Sequence, residues 1–265
     1  MTRPNVSIVI PLYNCESTIR RSLRSLHTQT YQDFELVLVD NNCTDKTFDI
    51  INEELIQLFN SVKTVKCKTP GIVPALNTGL RSASCKWIAR QDGDDYWYPE
   101  KLEKQIAFLK DNPNVGILGT QIQLLDENGN VEEIGTFGAK VKYPTSNEDI
   151  KSALMYGQNP ICHPSVIFDR KLLDLVGGYE QCFPLAEDLH LWCKAFPHFE
   201  FSNLSEVLVD YTQKKSPDYD ARVPLLIADM YYSLYKVAGL IEGERQQKLY
   251  DWQHNSDTHG KPGAV

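Results

Sequence analysis

The sequence predicts an α/β fold: a mostly parallel central sheet flanked by helices, with an α+β second half and C-terminal helices. Three observations predict it. Within the first hundred residues a short apolar run alternates with a helical pattern three times, and a fourth strand follows. That rhythm specifies a parallel sheet covered on both faces. The first run, Val6-Ser7-Ile8-Val9-Ile10, shows little polar alternation, as suits a central strand buried on both faces. Beyond residue 112 the rhythm changes, and two apolar runs flank Asp126-Glu127-Asn128-Gly129-Asn130. Asn-Gly between apolar runs is a hairpin signal.

Each element has its own warrant. Residues 6–10 are a β-branched strand expected to break at Pro11, with Leu12, Tyr13 and Asn14 in the loop beyond. Glu16 and Ser17 open a helix with Ile19, Leu23 and Leu26 inward. A second strand, 34–39, ends at Asp40, and turn chemistry at 41–45 leads into a helix carrying Phe48, Ile51, Leu55 and Ile56. Strand 62–65 precedes a helix with Ala75, Leu76, Gly79 and Leu80, and the fourth strand covers 87–91. Pro99 opens a helix that stops at Asn112-Pro113. Strands at 115–125 and 131–137, a helix at 147–156, a strand at 163–168 and a helix stopping at Gly177-Gly178 come next. Leu185, Leu189, Trp192 and Phe196 recur at helical spacing and should pack inward, and 207–211 is a further strand. Past Lys214-Lys215-Ser216-Pro217, Leu225, Leu226, Met230, Leu234, Val237 and Leu240 form an apolar helical stripe. It reads as core or as the seam of a homodimer; its polar face is not basic enough to favour a membrane surface. From residue 255 the Gly/Pro/His-rich tail is expected to be disordered.

Composition narrows the function. A net charge of -8 excludes the basic field of a nucleic-acid groove binder. Seven cysteines, an odd number without CxxC, fit a reducing compartment better than a disulfide framework or a zinc site. No secretory segment follows Met1 and no apolar run approaches ~18 residues, so a cytoplasmic location is expected, with the inner membrane face as a variant of it.

Chemistry concentrates at Asp92-Gly93-Asp94-Asp95. Like charges that close repel, and a hard divalent cation, Mg²⁺ or Mn²⁺, relieves the conflict. An acidic turn capping the helix near Pro99 is the alternative. No GxGxxG follows the first strand and no GxxxxGK[ST] occurs anywhere, so phosphates would have to be held by other means. That favours the metal. Ligands of such sheets bind at the carboxyl ends of the strands, so Asn14, Asp40 and Asp92 should line one crevice.

Several blocks, in order, resemble the family 2 nucleotide-sugar glycosyltransferases, inverting enzymes of the GT-A fold. Ser7–Asn14 looks like the family's opening strand and Pro-x-Tyr-Asn loop. Leu38-Val39-Asp40 with Thr44–Thr47 resembles its second strand, and Gly71 to Gly79 its following helix. Ala89–Asp95 resembles the DXD block, His163–Val166 with Gly177-Gly178-Tyr179 the acceptor-side segment, and Glu187-Asp188 with Leu191-Trp192 the ED motif. The resemblance covers residues 5–212 and implies a GT-A-like catalytic domain at 1–215, its nucleotide-binding half at 1–98 and its acceptor half at 99–215. A helical extension at 216–254 and the tail at 255–265 would follow.

The resemblance also implies roles. Asp188 would be the catalytic base; Pro11, Tyr13, Asn14, Asp40 and Asp92 would bind the nucleotide; Asp94 with Asp92 would hold Mn²⁺ or Mg²⁺. Glu187, Asp95, His163 and Trp192 would be acceptor-side or supporting residues, Asp95 as an orienting or capping one. The partners implied are a UDP- or dTDP-linked sugar and a glycan or lipid-linked acceptor, in surface polysaccharide synthesis, with peripheral membrane association as a corollary. Each residue has a plainer alternative: Tyr13 as a packing aromatic, Asp40 as a helix cap, Asp188 as an N-terminal helix charge, His163 as a satisfied structural histidine. His190 would pack or face solvent. Two departures stand out. A second acid after the second strand is replaced by Asn41, and Tyr211 is followed by Thr212 rather than Arg, leaving Lys214 or Lys215 to face the diphosphate. A nucleotide-sugar-binding protein without turnover is the competing function. An EF-hand fails at Tyr96 and Trp97, and a nucleotidyltransferase lacks its Gly-rich loop.

Overall fold

The computed structural model describes residues 5–126, 128–132, 142–183, 185–213, 222–237 and 239. In the first half, β1 (Val6–Leu12), β2 (Phe34–Asp40), β3 (Val62–Lys66) and β4 (Trp87–Arg90) alternate with α1 (Ile19–His27), α2 (Thr47–Ile50) and α3 (Ile72–Ser82). The second half adds β5 (Tyr96–Trp97), α4 (Lys101–Asp111), β6 (Val115–Leu125), β7 (Val131–Glu132) and α5 (Asn147–Met155). β8 (Ile167–Asp169), α6 (Lys171–Val176), α7 (Glu187–Ala195), β9 (Glu200–Thr212) and α8 (Arg222–Val237) complete it.

The nine described strands form one sheet in the order β3-β2-β1-β4-β8-β6-β9-β5, with β7 paired to β6. β1 is parallel to β2 and β4, and β2 to β3. β8 runs antiparallel between β4 and β6, so the second half continues the same sheet. Side chains alternate between two apolar layers. Val9, Val37 and Val39 pack with α3, α5 and α7, while Ile8, Ile10, Leu36 and Leu38 pack with α1 and α4. Both faces are therefore buried, which is why these strands lack polar alternation. At Gly79 of α3 a Cβ would lie 2.3 Å from Val9 Cγ1, so only glycine lets this helix sit so close to the sheet.

Five expectations need correction. Pro11 does not end the first strand: β1 runs on to Leu12, paired with Asp40. β1–β4 pairing stops at Val9↔Arg90, so no ladder bond on that side needs the N–H that proline lacks. Residues 163–165 form a 3₁₀ turn rather than strand, held by Ser165 Oγ donating to Cys162 O at 2.8 Å. Leu185 has φ +60° and is 43% exposed, because α7 begins only at Glu187. The helix expected through Ile56 is regular only over Thr47–Ile50, then widens to a π-turn at Ile51–Leu55 and tightens at Ile56–Leu58. On α8 the buried face is not the leucine stripe. Ile227, Ala228, Tyr232 and Tyr235 are buried, while Leu226, Met230 and Leu234 are exposed. Tyrosines win the inner face because they bring hydroxyls to polar partners there: Tyr231 meets His190 Nε2 at 3.1 Å and Tyr235 donates to Cys193 O. Residues 133–137, Lys214, Lys215, Leu240 and the tail lie outside the described residues.

Candidate active site

Adjacent parallel strands β2, β1 and β4 bring Asp40, Tyr13-Asn14 and Asp92 to one end of the sheet. Asn14 adopts φ +47°, and its Oδ1 accepts from Thr44 N–H at 2.8 Å, tying the two neighbouring loops together. Tyr13 stands beside it 63% exposed, its ring outside the core. Pro11 is buried and contributes frame rather than surface. Asp40 Oδ1 accepts from Cys43 N–H at 2.9 Å, bracing the turn after β2, and Oδ2 lies 3.9 Å from the Lys66 ammonium. It caps no helix; the first N–H of α2, that of Thr47, bonds Asp45. Asn41 is occupied structurally, because its Oδ1 accepts from Gly71 N–H at 3.1 Å where Gly71 has φ +122°.

The acidic turn follows β4 and is held by its carbonyls. Ser22 and Thr18 of the first helical region donate to Asp92 O and Gly93 O at 2.8 Å each. Thr212 Oγ1 donates to Asp94 O at 3.0 Å, and Gln91 Nε2 to Asp95 O at 3.3 Å. A Cβ at Gly93 would lie 2.8 Å from Cys15 Sγ and 3.0 Å from Leu12 Cδ2, so the turn is pressed onto the β1 loop. Held this way, Asp92, Asp94 and Asp95 bring carboxylate oxygens within 4.8 Å of one another. Asp95 is fully buried; Oδ1 accepts from Thr212 N–H at 2.8 Å, while Oδ2 has no hydrogen-bond partner. Burial and the two neighbouring carboxylates push its carboxyl well above the usual range. A buried carboxylate oxygen without a donor, beside two further acids, fits a hard divalent cation.

A second carboxylate pair opens α7, where the helix dipole favours negative charge. Asp188 is half-buried; Asn159 Nδ2 donates to Oδ2 at 2.6 Å and Leu189 N–H to Oδ1 at 2.8 Å. Burial raises its carboxyl above the ordinary value, against those two bonds and Arg90. Glu187 is buried with an orphaned Oε2, and burial together with Asp188 pushes it up to about 7.

Arg90 joins the two groups. It is 5% exposed, contacts Asp92 Oδ2 at 2.5 Å, and is held strongly charged by Asp92, Tyr179, Asp95 and Glu187 despite its burial. Neither Arg90 nor Asn159 was singled out by sequence. Arg90 sat inside the acidic block, whereas Asn159 is 29 positions from its partner and carried no local signal. His163 is satisfied by Tyr179 Oη at 2.8 Å and is buried, as the structural alternative describes. Trp192 is fully buried edge-on to His163, so it can support the site but offers an acceptor no surface. His190 packs: it is buried against Phe183 and Tyr231.

A cavity of about 740 Å³ opens beside Asp40's partner Lys66, lined also by Lys68, Asn77, Arg81, Tyr179 and Glu180. The acidic turn and Asp188 do not line it.

Sheet order, strand-end loops and the acidic turn agree with the GT-A-like fold expected from the sequence. The family model "Glycosyl transferase family 2" matches residues 7–176, and the chain belongs to that family. It is 32% identical over 209 residues to the putative glycosyltransferase EpsE of Bacillus subtilis, covering 77% of this chain and 72% of that protein. The O-antigen biosynthesis glycosyltransferase WbnJ of Escherichia coli is 30% identical over 225 residues, 81% of this chain and 84% of its own. Among solved structures, S. aureus TarS 1-349 in complex with UDP-GlcNAc superposes with a TM-score of 0.65 at 23% identity. That match covers 84% of this chain and 65% of the TarS fragment, and at that identity it speaks to the fold alone.

Proposed function

We propose that this chain transfers a sugar, with inversion, from a UDP- or dTDP-linked donor to a hydroxyl of a glycan or lipid-linked acceptor, in surface polysaccharide synthesis. One observation carries the reading. Two carboxylate groups, Asp92/Asp94/Asp95 and Glu187/Asp188, feel the charge of one buried arginine, Arg90, which pairs directly with Asp92; one group would serve the leaving group and the other the attacking hydroxyl. The exposed Tyr13 ring offers a face to the nucleobase, and Asp40 Oδ2 an acceptor for an imide N–H, which suits uracil or thymine. Asp94 and Asp92, with Asp95 behind them, would hold Mn²⁺ or Mg²⁺. When bound, such an ion supplies positive charge to the departing diphosphate, a contribution of several kcal/mol.

Asp188 takes the proton of the acceptor hydroxyl while that oxygen bonds to the anomeric carbon and the carbon–diphosphate bond breaks. Its raised pKa matches a general base better than an ordinary aspartate, for a contribution of about 10²–10⁴-fold. Asn159 and the Leu189 N–H fix the carboxylate's direction. Among the described residues, no helix is long and apolar enough to cross a membrane. The WbnJ likeness supports a glycan acceptor.

Product anomeric configuration, read by NMR, tests inversion: opposite to the donor's is expected, and retention would overturn the single-displacement reading. Asp94→Ala should abolish the Mn²⁺-dependent part of UDP binding in calorimetry. Equal affinity with and without Mn²⁺ in the parent chain would count against the metal.

A further inference from the structure

We propose that Glu180, Cys182 and His190 form a second cation site, chemically unlike the acidic turn, that takes a thiophilic divalent ion such as Zn²⁺. One donor atom from each residue lies within 4.8 Å of the others. Glu180 Oε2 is 3.7 Å from Cys182 Sγ and 3.9 Å from His190 Nε2. A tetrahedral zinc ion, with bonds of about 2.0–2.3 Å, spaces its donors about 3.3–3.6 Å apart. Glu180 Oε2 therefore needs to approach each of its two neighbours by only a few tenths of an ångström, while Cys182 and His190, within 4.8 Å of each other, close by up to about 1.5 Å.

The surroundings are those of a prepared site. His190 is 2% exposed on α7, its ring stacked on Phe183 at 4.4 Å, and burial lowers its pKa so that the neutral, ligating form prevails. Its Nε2, the nitrogen that faces Glu180, meets Tyr231 Oη at 3.1 Å, a contact it gives up on binding an ion. Glu180 has its other oxygen, Oε1, clamped by Lys194 at 2.5 Å, an outer-shell contact of the kind that orients a ligating carboxylate. Cys182 is the one exposed cysteine of the seven, so its thiol can meet an ion from solvent. Lys194 also balances the charge that a thiolate and a carboxylate bring together.

Ligand chemistry separates the two sites. Three carboxylates at the acidic turn suit Mg²⁺ or Mn²⁺, whereas sulfur, imidazole and one carboxylate suit Zn²⁺ or Cd²⁺. Three protein donors leave a fourth position for water. Scattered cysteines without a CxxC pattern argue against a zinc site in the sequence; here the ligands come from a loop and a helix, which spacing does not reveal. The site also has a consequence. Glu180 and Cys182 lie in the segment that walls the 740 Å³ cavity, and His190 sits two residues after Asp188. An ion there fastens that wall to the helix that carries the carboxylate pair.

The test is a Cd²⁺ titration of the full chain, stripped of metal and held in excess Mg²⁺, following the ultraviolet thiolate-to-cadmium band. One equivalent per chain is expected, with the band lost in Cys182→Ser and affinity at least tenfold weaker in Glu180→Gln. Both substitutions are at exposed positions and should leave the circular dichroism spectrum unchanged. Absence of the band, its persistence in Cys182→Ser, or unchanged affinity in Glu180→Gln would each overturn the site, the last by reducing it to a lone thiol.

Discussion

Asn159 holds one oxygen of Asp188 at 2.6 Å and thereby favours its charged form. Asn159→Ala should therefore move the acidic limb of kcat/KM to higher pH, with a fall in kcat. The pH profile checks this, and an unmoved limb would remove Asn159 from the site. Lys101 gives a stability counterpart. Its ammonium is fully buried, 3.5 Å from the centre of the Trp97 ring and bonded to Gln105 Oε1 at 2.8 Å, and burial drives its pKa well below the ordinary value. Between the lowered folded pKa and the unfolded value of about 10.4, the unfolded chain binds more protons, so this residue's contribution improves as pH rises. Lys101→Met should raise Tm at pH 7 by about 2–4 °C per kcal/mol recovered, and the gain should shrink toward pH 10. At this scale the sequence revealed acids in motifs such as Asp40, Asp92 and Asp188. It could not reveal the buried lysine, which occupies an ordinary helix-start position, nor Asn159, whose meaning depends on a contact across 29 positions.

Among elements, the acidic turn is the one whose shape is set from outside. Its four carbonyls are taken by Ser22, Thr18, Thr212 and Gln91, and Gly93 rests on Leu12 and Cys15. Gly93→Ala should cost about 1–3 kcal/mol by overpacking. Thermal unfolding should show that loss together with weaker Mn²⁺-dependent nucleotide binding; unchanged values would mean the turn is not held by this contact. β1, β2 and β4 were legible because burial on both faces leaves a largely apolar signature, whereas β3, only partly buried, was legible from its place in the strand–helix rhythm. β9 was seen only from Val207, because its first half, Glu200–Ser205, carries polar residues inside the sheet. Asn203, for instance, is buried because its Nδ2 donates to the carbonyls of Pro144 and Pro160. Partners that distant leave no periodicity. α8 misled for the converse reason: leucines mark a helix face by hydropathy, but hydroxyl partners on α7 drew the tyrosines inward.

At the scale of the molecule, one sheet carries both halves of the proposed chemistry. Parallel strands β1, β2 and β4 present the loops proposed to hold the nucleotide, and antiparallel β8 carries the sheet on into the second half, where Glu187 and Asp188 open α7. The order of the first four strands followed from strand–helix rhythm. The junction did not, since β8 is three residues long and pairs with strands about 50 and 80 positions upstream. Family resemblance supplied the pairing of the two acidic motifs before geometry did. The claim most worth testing is that these carboxylates divide the work. Asp188→Asn, assayed for UDP affinity and for sugar transfer on the same preparation, measures that division directly. The account predicts UDP affinity within about threefold of the parent and transfer reduced by about 10² or more. Transfer at the parental rate, or loss of UDP binding in parallel with transfer, would contradict it.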